Sequence, residues 1–309
     1  MKKNYLKNIL GLTLIEVLVG VVISSIMMAA MYTTYSVVNR SYSQVTDRAK
    51  ISRSGRDIIA MLMRDIRIAG FKYYFGTNAS GISKQDNLQY VGGNSSIEDS
   101  HDPIIVIKNK LGYSAGDTDA GSDLSVSKNN ENDLCCDRIH IVYGDFNQND
   151  ATQPYKRYKV TYYALPSSNG DDKYYAVYKS KESWIQTGED LTGSWVKDCT
   201  ECFTGELIRD HLVDMEFIVF DKQGRIINPP PRPDNSSRKD LYNIRVVDVR
   251  LTFRSKKEFF RFSATDDKPR LVKGLGERFG GVVASAFTDK FLRDSVVVSV
   301  HTRNIGDGV

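Results

Sequence analysis

An apolar segment near the N-terminus, interrupted by one carboxylate, is the strongest constraint on what this chain can fold into. The segment from Leu12 to Tyr32 contains no lysine. It is long enough to cross a bilayer as a helix, which takes about twenty residues. Glu16 lies within it. An ionisable side chain at membrane depth costs roughly 2.5–3.5 kcal/mol on insertion scales, so Glu16 needs a compensating interaction and is a candidate functional residue.

The charges around this segment predict its orientation in a membrane. Lys2, Lys3 and Lys7 all precede it. Because positive charges stay on the cytoplasmic side, the N-terminus is predicted to be cytoplasmic and everything after Tyr32 to lie outside. A conventional signal peptide is the alternative. It fits poorly, since the apolar run is too long and no small-x-small cleavage site closes it.

A helical pattern continues beyond the membrane segment. Apolar and small residues recur at steps of three and four, with one longer interval around Gly55, at Val38, Tyr42, Val45, Ala49, Ser52, Ile59, Leu62, Ile66 and Ala69. This spacing is typical of one face of an amphipathic helix. Gly70 then supplies a stop signal. We expect one helix from Leu12 to Ala69, in which Gly55 allows close packing or a bend.

Strand-like segments dominate the chain after residue 134, whereas residues 76–134 are rich in Gly, Ser, Asn and Asp. One strand alternates two sets of residues, Val247, Val249, Leu251 and Phe253 against Asp248, Arg250, Thr252 and Arg254. Such alternation predicts an antiparallel sheet with one buried face. The expected fold class is α+β, in which the amphipathic part of a long N-terminal helix packs on an antiparallel β-sheet.

The same patterns predict four segments along the chain. They are a basic leader at residues 1–11, a transmembrane part of the helix at 12–32, an amphipathic part at 33–70, and an exported β-rich globular domain at 71–309.

The four cysteines are expected to form structural disulfides, because an exported domain lies in an oxidising compartment. They are Cys135, Cys136, Cys199 and Cys202. Zinc is a weaker alternative, since two adjacent cysteines suit a tetrahedral site poorly. The Cys199–Cys202 spacing also matches a redox C-x-x-C motif, but no βαβ context surrounds it. Cys199 could pair with Cys202 across a small loop, or Cys135 or Cys136 could pair with that turn.

Two polar segments have oxygen ligands at spacings that can hold calcium. One contains Asp117, Asp119 and Asp123, and the other Asp145, Asn147 and Asn149. Neither matches a full EF-hand loop, so calcium is a weak candidate and no other cofactor is expected. The histidines form no H-E-x-x-H motif, and neither G-x-S-x-G nor a Walker A motif is present. The sequence therefore predicts no enzyme, and a formal charge of +4 implies no general affinity for nucleic acid.

The stretch "LGLTLIEVLVG" that begins at Leu10, with the basic leader before it, resembles the type IV pilin superfamily. The family pattern has a Gly, a hydrophobic residue and a Glu at the fifth position of the mature chain, which map here to Gly11, Leu12 and Glu16. Phe is usual where this chain has Leu12. The resemblance implies cleavage after Gly11 by a prepilin peptidase, methylation of the new Leu12 amine, and pairing of Glu16 with the N-terminal amine of a neighbouring subunit.

Two further stretches narrow the resemblance. Residues 53–71, "RSGRDIIAMLMRDIRIAGF", look like the helix end of PilW-type minor pilins, and "FLRDSVVVSVHTRN" is similar to how those proteins finish. The GspJ-type minor pseudopilin of type II secretion is a close relative that shares the leader and helix. A tip adhesin or DNA-capturing subunit is the alternative of another class.

This resemblance implies a place and partners for the chain. It would wait in the bacterial inner membrane as a single-pass protein, with a cytoplasmic N-terminus and a periplasmic C-terminal domain, and then join a pilus. Its partners would be other minor and major pilins, contacted through the N-terminal helix. The sequence identifies no external ligand.

Overall fold

The chain divides into two compact units, residues 1–49 and residues 50–309. The structure is a computed structural model, and it describes residues 13–70, 74–78, 81–84, 102–108, 110–112, 135–146, 155–167, 174–186, 193–227, 238–258, 270–273, 284–287 and 291–305. The division of the chain into a leader, a transmembrane part, an amphipathic part and an exported domain, expected from the sequence, remains a prediction.

The N-terminal helix, α1, is continuous from Leu14 to Ile68, a length of 55 residues. It ends where the sequence predicts. Gly70 adopts a φ of 68°, a left-handed conformation that glycine reaches without steric cost. Its backbone N–H donates a hydrogen bond to the carbonyl oxygen of Val142 at 2.8 Å. The stop signal at Gly70 is therefore confirmed.

In the first unit, the large apolar side chains of α1 are exposed. They include Leu14, Ile15, Leu18, Ile23, Ile26 and Met28. Val45 is 69% exposed, although the periodic pattern had placed it on a face that packs against the chain's own sheet. That prediction is wrong for Val45, because periodicity identifies a helix face but does not say what covers it. The buried face begins at Ile51.

The second unit contains one large antiparallel sheet. Its strands are β3 (Ile104–Ile107), β4 (Arg138–Phe146), β5 (Tyr155–Pro166), β6 (Tyr175–Gln186), β7 (Gly193–Val196), β8 (Phe203–Phe220), β9 (Val246–Glu258) and β12 (Phe291–His301). They lie in the order β12-β9-β8-β6-β5-β4-β3, with β7 paired beside β6. The expected fold class, a long helix packed on an antiparallel sheet, is confirmed.

Two small hairpins and a short helix complete the described elements of the second unit. The hairpins pair β1 (Tyr74–Asn78) with β2 (Gly81–Lys84), and β10 (Arg270–Lys273) with β11 (Ala284–Phe287). A 3-10 helix spans Arg238–Asn243.

The core of the second unit lies between the distal part of α1 and the main sheet. One face of the helix contributes Ile51, Ile58, Ile59, Leu62, Ile66 and Ala69 to a cluster with the inner face of the strands. Leu62, Ile66 and Phe217 are completely buried. Burying each such side chain contributes roughly 1.5–3 kcal/mol, so this face holds the helix on the sheet.

Gly55 allows the helix to approach two strands closely. A Cβ atom at this position would lie 3.0 Å from Cγ2 of Val296 and 3.8 Å from the ring of Phe253. The close packing expected at Gly55 is therefore confirmed, and α1 continues through it without a break.

The opposite face of the main sheet is also buried, which differs from the expected single buried face. Asp248, Arg250, Thr252 and Arg254 are all at most 5% exposed. Some of their polar groups have partners within the fold. Arg250 Nη2 contacts a carboxylate oxygen of Asp214 and lies 3.1 Å from one of Glu216. Alternation of polar and apolar residues thus marks two faces here, but the polar face is not the solvated one.

A larger side chain at Gly55 should destabilise the second unit. In Gly55→Leu, overpacking against Val296 and Phe253 is expected to lower the free energy of unfolding by about 1–3 kcal/mol. Denaturant titration of the protein in detergent micelles, followed by tryptophan fluorescence, measures it. Gly20→Leu is the matched control, because nothing lies within 4 Å of a Cβ atom there. Equal stability of the two variants would contradict the close approach.

Candidate functional site

The start of α1 places Glu16 in a capping arrangement with Thr13. Oε2 of Glu16 accepts hydrogen bonds from the backbone N–H and from the hydroxyl of Thr13, both at 3.0 Å. The backbone N–H of Glu16 approaches the Thr13 hydroxyl oxygen at 3.4 Å. Thr13 is therefore the N-cap residue, and Glu16 is the third residue of the helix that reaches back to it.

The reasoning from sequence assigned no role to Thr13. The signal was present, since "TLIE" matches the S/T-x-x-E/Q capping box directly before an apolar run. The capping box adds a second role to Glu16, because its carboxylate satisfies helix N-terminal donors that would otherwise lack partners in an apolar layer.

The cap engages only one of the two carboxylate oxygens of Glu16. Within the described residues, the hydrogen bonds to this side chain all go to Oε2. A carboxylate offers about four lone-pair sites, so it can accept a further charged donor without releasing the cap. The arrangement is chemically suited to pairing with an ammonium group of another chain. Gly11 and Leu12, the predicted processing site, lie outside the described residues.

A second buried carboxylate, Asp65, joins the end of α1 to the sheet. It is 3% exposed. Its Oδ2 accepts a hydrogen bond from the Tyr162 hydroxyl at 2.7 Å and lies 2.7 Å from Nζ of Lys179. Arg64 approaches Oδ1 at 3.4 Å. Tyr162 and the strand lysine Lys179 are therefore the close partners of this carboxylate, and Arg64 lies farther from it.

The Tyr162 hydroxyl remains a proton donor in this cluster. Burial raises its pKa, and the charge of Asp65 and the hydrogen bond to it raise the pKa further. The Lys179 ammonium also lies 5.2 Å from the centre of the Tyr162 ring. This cluster therefore joins the end of α1 to strands β5 and β6.

The cysteines pair locally in this structure. Cys135 is joined to Cys136, and Cys199 to Cys202. One expected alternative was a disulfide between these two regions. The structure does not have such a disulfide. Cys135 and Cys136 are buried at the start of β4, where the Cys136 carbonyl oxygen accepts a hydrogen bond from the Lys110 backbone N–H at 2.9 Å.

The calcium candidates fall mostly outside the described residues. This applies to Asp117, Asp119, Asp123, Asn147 and Asn149. Asp145 lies in β4, opposite Lys156 of β5. In the part of the chain that the structure describes, no group of three or more His, Cys, Asp or Glu side chains converges in a way that could hold a metal ion.

Asp214 is a buried carboxyl group on the polar face of the sheet with a raised pKa. Burial raises its pKa to about 6, although the neighbouring Arg250 guanidinium acts in the opposite direction. The charges of Glu216 and Asp137 raise the pKa further. Two carboxyl groups thus share one buried arginine.

A comparison with protein families matches residues 6–32 to the prokaryotic N-terminal methylation motif. The chain carries a prokaryotic N-terminal methylation motif. The motif covers Gly11, Leu12, Thr13 and Glu16. Residues from Leu14 onward also form a helix that is long and apolar enough to cross a membrane. The motif and this helix together support membrane anchoring and a type IV pilin or pseudopilin, a class of structural subunit.

No curated protein matches this chain in sequence. Among solved structures, the chain is similar to a type IV-like pilin from Thermus thermophilus, with 9% sequence identity and a TM-score of 0.38. The match covers 82% of this chain and 95% of that one.

Removing the Asp65 charge should destabilise the helix end. In Asp65→Asn the Lys179 ammonium stays buried without its counter-charge, so the free energy of unfolding is expected to fall by about 3–5 kcal/mol. Denaturant unfolding measures it. The double variant Asp65→Asn with Lys179→Met is the matched control, and it should lose less than the single variant. A larger loss in the double variant would show that Lys179 is not the relevant partner.

Asp214 should make the protein less stable as pH rises. Its pKa in the folded state, about 6, lies above the ordinary value of 3.8, so the folded protein binds this proton more tightly than the unfolded chain. The resulting stabilisation is complete below about pH 4 and is lost as pH rises through 6. A shift of about two pKa units corresponds to roughly 3 kcal/mol.

Unfolding free energies measured between pH 4 and pH 8 check this contribution. In Asp214→Asn, the free energy of unfolding should not decrease in this way as pH rises. Asp198→Asn removes the same charge at an exposed position, and its free energy of unfolding should still decrease. If Asp214→Asn and the wild type show the same pH dependence, the raised pKa is refuted.

Proposed function

We propose that this chain is a minor pilin that primes or caps assembly of a type IV pilus. A prepilin peptidase cleaves it after Gly11, and the new Leu12 amine is methylated. The observation that carries the proposal is the methylation motif at residues 6–32, continuous with an apolar helix. The chain's work is assembly of a filament, not catalysis.

The exposed apolar surface of the first unit supports this role. The side chains of Leu14 to Met31 on every side of α1 are exposed in the single chain. A surface of this kind is stable in lipid, or against other apolar helices. A pilin uses both environments in turn, first the inner membrane and then the bundle of helices inside the filament.

Glu16 sets the axial register between neighbouring helices of that bundle. Its Oε2 is engaged by Thr13, and the carboxylate can still accept the ammonium of a neighbour's mature N-terminus. Both charges would lie in one apolar layer, where attraction is strong and an unpaired charge is costly. One axial stagger of the two helices brings the groups together, so the pairing selects that stagger.

We also propose that the chain lies below the tip of the filament. A subunit at the extreme tip has no neighbour ahead of it whose amine could reach Glu16. Because this chain retains the carboxylate, we place it beneath at least one other minor pilin. A minor pseudopilin of type II secretion would use the same contacts, and the filament that is lost when the gene is deleted distinguishes the two.

Processing is the first test. The protein purified from its native membrane should begin at Leu12 and carry one added methyl group on its amine. Mass spectrometry of the intact protein and of its N-terminal peptide measures both. A mature N-terminus at Met1, or near Met31, would refute the pilin assignment.

Glu16 provides the second test. Glu16→Ala should leave cleavage and membrane insertion intact but reduce pilus number at least about tenfold, since tenfold corresponds to only about 1.4 kcal/mol of lost contact. Electron microscopy counts pili, and an immunoblot measures the mature protein. Thr13→Val is the matched control, because it removes the hydroxyl of the cap and keeps the carboxylate. Normal piliation in Glu16→Ala would eliminate the register role.

A further inference from the structure

β8 has a bulge at His211. Arg209 of β8 lies opposite Val177 of β6, and Leu212 lies opposite Tyr175, so two residues of β8 face one residue of β6. His211 occupies this extra position with a φ of 63°. A bulge turns a side chain out of the regular alternation of a strand and is common next to binding sites.

The left-handed backbone at His211 is a local cost that the fold retains. A residue other than glycine in this conformation is strained by about 1 kcal/mol or more, and such residues cluster at functional sites. The side chain of Asp210 supports the turn, since its Oδ1 accepts a hydrogen bond from the His211 backbone N–H at 2.9 Å. The bulge therefore has its own hydrogen bond and holds the imidazole in a defined place.

Two side chains at this bulge have buried nitrogen atoms without partners. Among the residues that the structure describes, Nδ1 of His211 and Nε of Arg209 form no hydrogen bond. The imidazole packs against the ring of Tyr174, with the ring centres 4.7 Å apart. Buried polar atoms are normally paired, so these two side chains have hydrogen-bonding capacity that the described part of the fold does not use.

The charge around His211 identifies the kind of partner. Burial lowers the pKa of His211; Asp210 acts to raise it, and Arg254, Arg209 and Lys256 lower it further. The three cations come from two adjacent strands, β8 and β9. Lys256 is exposed, and Arg209 and His211 are half-buried, so the cluster is open on one side.

An aromatic wall lies beside these cations. The guanidinium carbon of Arg254 lies 4.0 Å from the centre of the Tyr174 ring and 4.3 Å from that of Phe291. Stacking on both rings fixes the plane of the guanidinium group. Arg254 is buried and contributes positive charge to the cluster, whereas the more exposed donors are Arg209, His211 and Lys256.

We propose that Arg209, His211 and Lys256 form a binding site for a phosphate-type oxyanion at the β8 bulge. Guanidinium, imidazole and ammonium groups all donate hydrogen bonds to phosphate oxygens, and charge-assisted bonds of this kind are the stronger ones. The excess of cations excludes a metal ion as the ligand. The site involves only the second unit, so it is independent of the proposed role of Glu16.

Inorganic phosphate is the probe for this site. Isothermal titration calorimetry on the full chain in detergent micelles, with chloride at matched ionic strength as reference, should show saturable binding. Arg209→Gln and Lys256→Gln should each weaken the association constant at least fivefold. Lys222→Gln removes an exposed lysine from the turn after β8 and should leave binding unchanged.

The variant His211→Gly distinguishes a loss of phosphate binding from a loss of protein stability. Glycine adopts a φ near 63° without strain, so the melting temperature should stay the same or rise while phosphate binding weakens at least fivefold. A short phosphodiester, dithymidine monophosphate, is titrated in parallel. Binding of phosphate alone identifies a free anion as the ligand, and binding of both identifies a phosphodiester source.

Two results would overturn the proposal. One is the absence of saturable binding by both phosphate and the phosphodiester. The other is an equal loss of binding in Lys222→Gln and Lys256→Gln. That result would mean that the anion binds non-specifically to the positive charge of the surface.

Discussion

The packing of one face of α1 on the main sheet is the interaction on which the rest of the second unit depends. Leu62 and Ile66 are completely buried in it, and Gly55 lets the helix backbone approach β9 and β12. Asp65 adds a buried ion pair with Lys179 at the end of the same face. Apolar burial supplies most of the stability, whereas the ion pair makes one position of the helix end far more favourable than its alternatives.

The same helix meets a different requirement in the first unit. There its apolar side chains are exposed in the single chain, and its polar N-terminal groups must be satisfied within the segment itself. Thr13 and Glu16 meet this requirement by capping each other's backbone. A helix that begins with a self-sufficient cap can remain in lipid as a monomer and later pack against other helices, which is what the proposed assembly role demands.

The main sheet is unusual in burying charge on its second face. Arg250 is 2% exposed and is shared by Asp214 and Glu216. Buried charges are tolerated only when they are paired. Burial raises the pKa of Asp214 to about 6, and the Arg250 guanidinium opposes that rise. The bulge at His211 is on a neighbouring part of β8, where the cations exceed the carboxylates and the proposed oxyanion site arises.

Much of this protein could be inferred from local patterns. The apolar run with Glu16, the three-and-four spacing of Ile59, Leu62 and Ile66, and the stop at Gly70 are properties of residues close together in sequence. A helix forms from contacts of that range, so its extent and its buried face follow from the chain alone. The alternating strands and the fold class followed for the same reason. The capping role of Thr13 was equally local and could have been read from "TLIE".

Other features depended on which distant segments meet. Val45 has the right period to be buried, yet it is exposed, because periodicity does not reveal what covers a face. The choice of Lys179 as the partner of Asp65, the burial of both sheet faces and the bulge at His211 all follow from strand order and register. Register is set by packing across the whole sheet, because a shift of one residue would move every side chain of a strand to the opposite face. No short stretch of sequence contains that information, so only the assembled tertiary structure brings these groups together.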